Sequence, residues 1–153
     1  MIDIGDTAPD FSLPRDGGDT ISLSSIRPGK AVVYFYPKDD TSGCTKEAIA
    51  FTDHLEAFKA AGVTIIGISK DSVKKHDKFR DKHNLGVILA SDEEDDVCER
   101  YGVWKEKSMY GKTYMGIERS TFLIDGEGKV LKAWHKVRVP GHVEDVLEAA
   151  QNA

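Results

Sequence analysis

Ala31-Val32-Val33-Tyr34-Phe35-Tyr36 runs without a break through small apolar, β-branched and aromatic residues and stops at Pro37, the pattern of a strand buried on both faces. Such a strand belongs at the centre of a sheet. A polar loop, Lys38 to Gly43, follows it. Ala48, Phe51, Leu55 and Phe58 then recur at three- and four-residue steps up to Gly62, which predicts a helix with one apolar face. Val63-Thr64-Ile65-Ile66-Gly67-Ile68 reads as the next buried strand and Asp71 to His83 as a more polar helix.

Outward from this β-α-β-α block the signals are shorter. Leu85 to Leu89 suits a short strand, and the acidic stretch Asp92 to Asp96 is expected to open a helix that stops near Gly102. Ser120 to Ile124 faces Val130 to Trp134 across Asp125-Gly126-Glu127-Gly128-Lys129, a hairpin pattern. A last helix is expected over His142 to Gln151, with Val143, Val146, Leu147 and Ala150 on one face. On the amino side, Asp16-Gly17-Gly18-Asp19 is a turn signal between two extended pieces of Pro9 to Leu23, predicting a small amino-terminal β-hairpin. No repeat, low-complexity tract or Pro/Gly/Ser linker interrupts the chain, so residues 1–153 are expected to form one α/β domain, a mixed sheet covered by helices on both sides.

The chain carries 21 Lys+Arg against 26 Asp+Glu and a formal net charge of -5. It therefore has no basic excess for counterion release from nucleic acid or for attraction to anionic lipid. Neither Ala31 to Tyr36 nor Val63 to Ile68, the latter interrupted by Thr64 and Gly67, approaches the ~20 residues of a membrane-spanning helix. The amino terminus has neither a positive n-region nor an apolar h-region, so a cytoplasmic location is expected. Two cysteines, Cys44 and Cys98, are too few for a disulfide framework.

Several residues imitate sites. Gly111-Lys112-Thr113 looks like the end of a phosphate-binding loop, but Glu106 stands where that motif needs its first glycine. The five histidines show no metal-ligand spacing and are expected at the solvated surface. Asp92 to Asp96 suits a first helical turn, where acidic residues complement the helix dipole without any cation. Neither metal nor cofactor is expected.

Cys44 is different because of where it stands. It follows Thr41-Ser42-Gly43 and begins the helix directly after the central strand, in the crevice where α/β proteins place ligands. With Thr41 or Ser42 as N-cap, the unpaired N–H groups of the first turn point at the sulfur and favour a thiolate. The alternative is a buried, inert thiol; against it stand the polar loop and the hydroxyl three residues earlier. With no cysteine at position 41 there is no Cys-x-x-Cys dithiol, so the chemistry is that of a single thiol.

The stretch Tyr36-Pro37-Lys38-Asp39-Asp40-Thr41-Ser42-Gly43-Cys44-Thr45-Lys46-Glu47-Ala48 resembles the Pro-x-x-x-Thr-x-x-Cys loop of peroxiredoxins, in particular the bacterioferritin comigratory protein, or peroxiredoxin Q, subfamily. Gly5 to Phe11, Val63 to Ser69, Tyr101 to Trp104, Gly116-Ile117 and Arg119 to Asp125 resemble that subfamily's other blocks in order. The resemblance implies a thioredoxin fold and a thiol-dependent peroxidase acting on hydrogen peroxide and small organic hydroperoxides. Cys44 would be the peroxidatic thiolate that becomes a sulfenic acid. Thr41 would hydrogen-bond the thiolate and the peroxide, Pro37 would shield the sulfur from water, and Arg119 would supply positive charge. A free thiol is about 3% ionised at pH 7, so full ionisation gains at most about 30-fold. One preorganised donor aimed at the leaving oxygen is worth ~10² to 10³, so Thr41, Arg119 and the first-turn amides must carry much of the rate.

The chain departs from the subfamily in two ways. Ser42 replaces a common Pro, which loosens the loop. The positions where the subfamily places a resolving cysteine are Ile49 and, on the next helix, Arg80. Two cycles follow: an external thiol, thioredoxin or glutaredoxin with glutathione, resolves Cys44, or Cys98 does so. A monomer or weak dimer is expected. The rival class is a redox sensor or binding module that signals through oxidised Cys44 and does not turn over.

Overall fold

A computed structural model describes residues 2–153. Its centre is a five-stranded mixed sheet built from β3 (Lys30–Phe35), β4 (Val63–Ser69), β5 (Ile88–Ser91), β8 (Ser120–Ile124) and β9 (Val130–Trp134), in the order β5-β4-β3-β8-β9. β3 is the middle strand, as its unbroken apolar run predicts; Val32, Val33, Tyr34 and Phe35 are fully buried. It pairs in parallel with β4 and antiparallel with β8. The amino-terminal hairpin is β1 (Ser12–Pro14) with β2 (Thr20–Ser22). Its turn docks on the sheet edge: Asp16 N–H donates to the Leu89 carbonyl and Asp16 Oδ1 accepts from Leu89 N–H, which covers the edge strand.

The sheet separates two hydrophobic cores. On one face α1 (Ser42–Asp53), α2 (Leu55–Ala60), α3 (Val73–His83) and α5 (His142–Gln151) bury Ala48, Phe51, Phe58, Phe79, Val143 and Val146 against Val32, Tyr34 and Leu123. On the other face the amino-terminal segment (Ala8, Phe11, Leu13) and the short α4 (Val97–Arg100) cover Val33, Phe35, Ile66 and Phe122. The helices expected on both sides are thus concentrated on one, and extended chain does most of the covering on the other.

Three boundaries differ from the expectations. The helix read as continuous to Gly62 breaks at His54, whose backbone N–H and ring Nδ1 both reach the Ala50 carbonyl and close α1 at Asp53, before α2 resumes at Leu55. The strand expected at Leu85 starts at Ile88, because Asn84 ends α3 in the left-handed region (φ 51°) and Leu85 N–H donates to Arg80 O while its side chain packs into the core. The acidic run is a turn, not the first turn of a helix: buried Asp92 accepts from Val97 N–H and Cys98 N–H and so caps α4, with Lys70 3.2 Å away.

Sequence patterning also missed a hairpin. β6 (Trp104–Met109) pairs with β7 (Lys112–Ile117) through Tyr110-Gly111, both at positive φ. That is the primed-turn geometry of a two-residue hairpin. Most of its residues are exposed, so no apolar alternation announces it. It also places Gly111-Lys112-Thr113 at a hairpin tip, away from any helix start. Among the described residues no helix is long and apolar enough to cross a membrane.

Candidate active site

Cys44 is the third residue of α1, whose N-cap, Thr41, is extended (φ -91°, ψ 158°) and makes no side-chain capping bond. The N–H groups of Ser42, Gly43 and Cys44 lack intrahelical acceptors by position, so the helix start presents donors beside the sulfur. Cys44 is nevertheless 1% exposed and part of the helix-side core. The polar-loop placement expected from sequence is therefore corrected: the thiol caps the buried row Cys44, Glu47, Ala48, Phe51, spaced i, i+3, i+4, i+7.

Arg119 reaches this row from the loop between β7 and β8. Because Ser120 pairs with Phe35, Arg119 lies at the carboxyl end of β3, where the chain leaves the sheet for α1. Its Nη2 donates to Cys44 Sγ at 3.4 Å and its Nη1 to Glu47 Oε1 at 2.7 Å. Glu47 is fully buried. Burial pushes its carboxyl up to about 7 against the pull of Arg119. Burial alone would weaken charge on Arg119, but Glu47 and Cys44 outweigh it and raise its pKa. Gly43 makes room for this arrangement, since a Cβ there would stand 3.2 Å from Arg119 Nη2.

Thr41 and Pro37 are exposed on the loop above the thiol. The Thr41 hydroxyl donates to the Lys38 carbonyl at 2.8 Å, not to the Cys44 sulfur as the resemblance implied; among the described residues the side-chain donor to that sulfur is Arg119. Ser42 occupies the first position of α1, where Pro is tolerated. Beside the same turn an open hollow of about 390 Å³ lies between Ser42, Gly43 and Lys46 and the Val139-Pro140-Gly141 loop.

Cys98 is fully buried in the opposite core. Burial, reinforced by Asp92, pushes its thiol well above the ordinary range. Both cysteines are free. The Ile49 position is exposed on α1, and Arg80 on α3 is bound to Asp16, Asp77 and Asp81.

Sequence reasoning missed Glu47, although a carboxylate inside an apolar helical row was a legible signal. It also misplaced two histidines. His76 and His142 are buried, not solvated. His76 lies between Asp39 and the Ala90 carbonyl, and His142 bonds Thr121 through Nε2 at 2.8 Å. Burial lowers the pKa of His142 to about 4, which keeps the ring neutral.

Known proteins share this sequence and fold. A family profile described as AhpC/TSA family matches residues 4–133. The chain is 50% identical to Peroxiredoxin Bcp of Bacillus subtilis over 151 residues, 99% of this chain and 96% of that one. It is 44% identical to Peroxiredoxin Bcp of Escherichia coli over 94% of this chain and 92% of that one. Among solved structures, a PrxQ mutant of Xylella fastidiosa superposes with a TM-score of 0.94 at 39% identity, covering 99% of this chain and 97% of that one. The bacterioferritin comigratory protein of Xanthomonas campestris, studied for alkyl peroxide reduction, gives 0.88 at 45% identity over 93% and 90%.

Proposed function

The chain belongs to the AhpC/TSA family as a thioredoxin-fold peroxiredoxin of the Bcp/PrxQ kind, a thiol-dependent peroxidase, and from that membership we propose that Cys44 is its peroxidatic residue. The observation that carries the assignment is the Arg119 guanidinium, which donates to Cys44 Sγ while Glu47 fixes its other end. A peroxide enters over the first turn of α1. The Cys44 thiolate attacks one peroxide oxygen, an S–O bond forms and the O–O bond breaks. The leaving oxygen takes a proton and departs as water or alcohol, leaving a sulfenic acid.

Arg119 and the first-turn amides supply donors to the charge that develops on the leaving oxygen. Thr41 has committed its proton to Lys38, so its oxygen is left to accept the O–H of the incoming peroxide. Pro37 forms the outer wall that limits water at the sulfur. The hollow beside Gly43 gives room for the organic part of a hydroperoxide.

Regeneration runs through an external dithiol or thiol, thioredoxin or glutaredoxin with glutathione. The first thiol displaces water from the sulfenic acid to give a mixed disulfide, and a second releases reduced Cys44. Cys98 is a structural thiol in this reading, because the sheet lies between the two sulfurs. NADPH consumption with thioredoxin, thioredoxin reductase and peroxide tests the assignment. Wild type and Cys98→Ser should turn over continuously and Cys44→Ser should not; turnover by Cys44→Ser above about a tenth of wild type would sink it.

A further inference from the structure

The loop that leads into the reactive helix is held from below by buried polar groups that the proposed chemistry does not use. Tyr36 donates its hydroxyl to Asp39 Oδ1 at 2.6 Å, and Asp39 Oδ2 lies 2.6 Å from His76 Nδ1. His76 Nε2 lies 3.0 Å from the Ala90 carbonyl. The Ala90 carbonyl only accepts, so Nε2 carries hydrogen. With Asp39 as a carboxylate, which also only accepts, the second ring proton is assigned to Nδ1, making the pair an imidazolium and a carboxylate.

Asp39 is tied through its backbone as well. Its N–H donates to Asp71 Oδ2 at 2.9 Å, which also accepts from the Ser69 hydroxyl, and Ser91 donates to the Asp71 carbonyl. The groups facing His76 are thus Tyr36 and Asp39 from β3 and its loop, Asp71 after β4, and Ala90 from β5. Burial opposes charge on the ring, but Asp39, aided by the Ala90 carbonyl and Asp71, outweighs it and raises the pKa. Asp39 stands next to Lys38, whose carbonyl holds the Thr41 hydroxyl. A loop displaced at Asp39 loses the anchor of Thr41 and the approach to α1.

We propose that His76 is a positioning residue of the peroxidase site: clamped between Asp39 and Ala90, it fixes the 38–41 loop, and with it Thr41, in the geometry that the peroxide step requires. The inference rests on Cys44 as the reacting thiol. Two rates separate positioning from plain stability: oxidation of Cys44 by hydrogen peroxide, which needs the aligned loop, and alkylation of Cys44 by iodoacetamide, which needs only an accessible thiolate. His76→Phe, which keeps the ring volume, should lower the peroxide rate roughly 10²-fold while leaving alkylation within about threefold. Asp39→Asn should act in the same direction, and Tyr36→Phe more weakly, since it leaves the ion pair in place. In ¹⁵N spectra of the wild type, both His76 nitrogens should be protonated at pH 7, and one should lose its proton in Asp39→Asn.

A folded His76→Phe protein with a peroxide rate within about twofold of wild type overturns the proposal, as does an equal loss of both rates. A bare ring nitrogen in the wild type at pH 7 overturns it as well. If His76→Phe does not fold, the same comparison on Asp39→Asn and Tyr36→Phe decides. An active Cys44→Ser protein would remove the site assignment and this inference together. An inactive Cys44→Ser protein beside an unchanged rate ratio removes this inference alone.

Discussion

Cys44 and Glu47, one helical turn apart on the buried face of α1, hold the two terminal nitrogens of the same Arg119 guanidinium, at 3.4 Å and 2.7 Å. The cation is therefore shared between a sulfur that becomes an anion on the proposed assignment and a carboxylate that burial resists charging. Neither group contacts Arg119 through water-exposed geometry, so this pairing differs in kind from a surface ion pair. Each neighbour of the guanidinium should affect the thiol through it.

If Cys44 is the peroxidatic thiol, Arg119→Ala should lower the second-order rate of its oxidation by ~10² or more, because it removes the sulfur's guanidinium donor and the positive charge beside it. Arg119→Lys should recover only part of that loss, since an ammonium lacks the planar fork that spans Sγ and Oε1. Stopped-flow rates within about threefold of wild type for Arg119→Ala would show that Arg119 takes no part in the peroxide step.

Glu47 and His142 pull the pH dependence of stability in opposite directions. Glu47 rises from 4.5 unfolded to about 7 folded, so the folded state holds the extra proton and stability falls as pH rises across that window. His142 drops from 6.5 to about 4, so its contribution is present above 6.5 and lost as pH falls toward 4. Glu47→Gln should remove the first trend and expose the second. Urea unfolding at pH 5 and pH 7 should then show stability increasing more steeply with pH than in wild type, by an amount on the order of 3 kcal/mol at most. An unaltered slope would mean that Glu47 is ionised throughout.

Gly43→Ala should separate stability from rate. Helix propensity favours Ala by about 1 kcal/mol, while the new methyl, 3.2 Å from Arg119 Nη2, displaces the guanidinium by a few tenths of an ångström. The expected protein melts no lower than wild type yet oxidises about tenfold more slowly. A slower variant that also melts lower would point instead to a packing clash.

Intact mass after one equivalent of peroxide should show a gain of one oxygen, and Cys98→Ser should retain most thioredoxin- or glutaredoxin-supported activity. Bridging Cys44 to Cys98 needs their Cα atoms within ~7 Å, yet the sheet separates the cores that hold them. A stoichiometric loss of two hydrogens, with mapping that joins the two cysteines, would make Cys98 the resolving residue.

Much of this was legible in the chain. The unbroken apolar run of β3 predicted the sheet centre, and the 3.6-residue spacing of Val143, Val146, Leu147 and Ala150 predicted α5 to its ends. What stayed hidden depended on partners distant in sequence. Glu47 shows in the sequence only as a carboxylate inside an apolar row; its partner Arg119 comes from 72 positions away. His76 reads as solvated until Asp39 and Ala90 close on it. The β6–β7 hairpin buries too little to show a period, and only its Tyr-Gly turn marks it.

The two-core construction also sets how such a catalyst ages. On the one-cysteine cycle, a sulfenic acid at Cys44 has no second cysteine thiol on its own side of the sheet to capture it. Its fate is a race between collisions: a thiol restores it, and a second peroxide carries it to sulfinic acid, which ordinary thiols do not reverse. The chance of inactivation per turnover then follows the ratio of peroxide to reducing thiol and is independent of how much of the protein is present. A cell holding that ratio low keeps every copy working, whereas a burst of peroxide spends them one by one, like fuses wired in parallel.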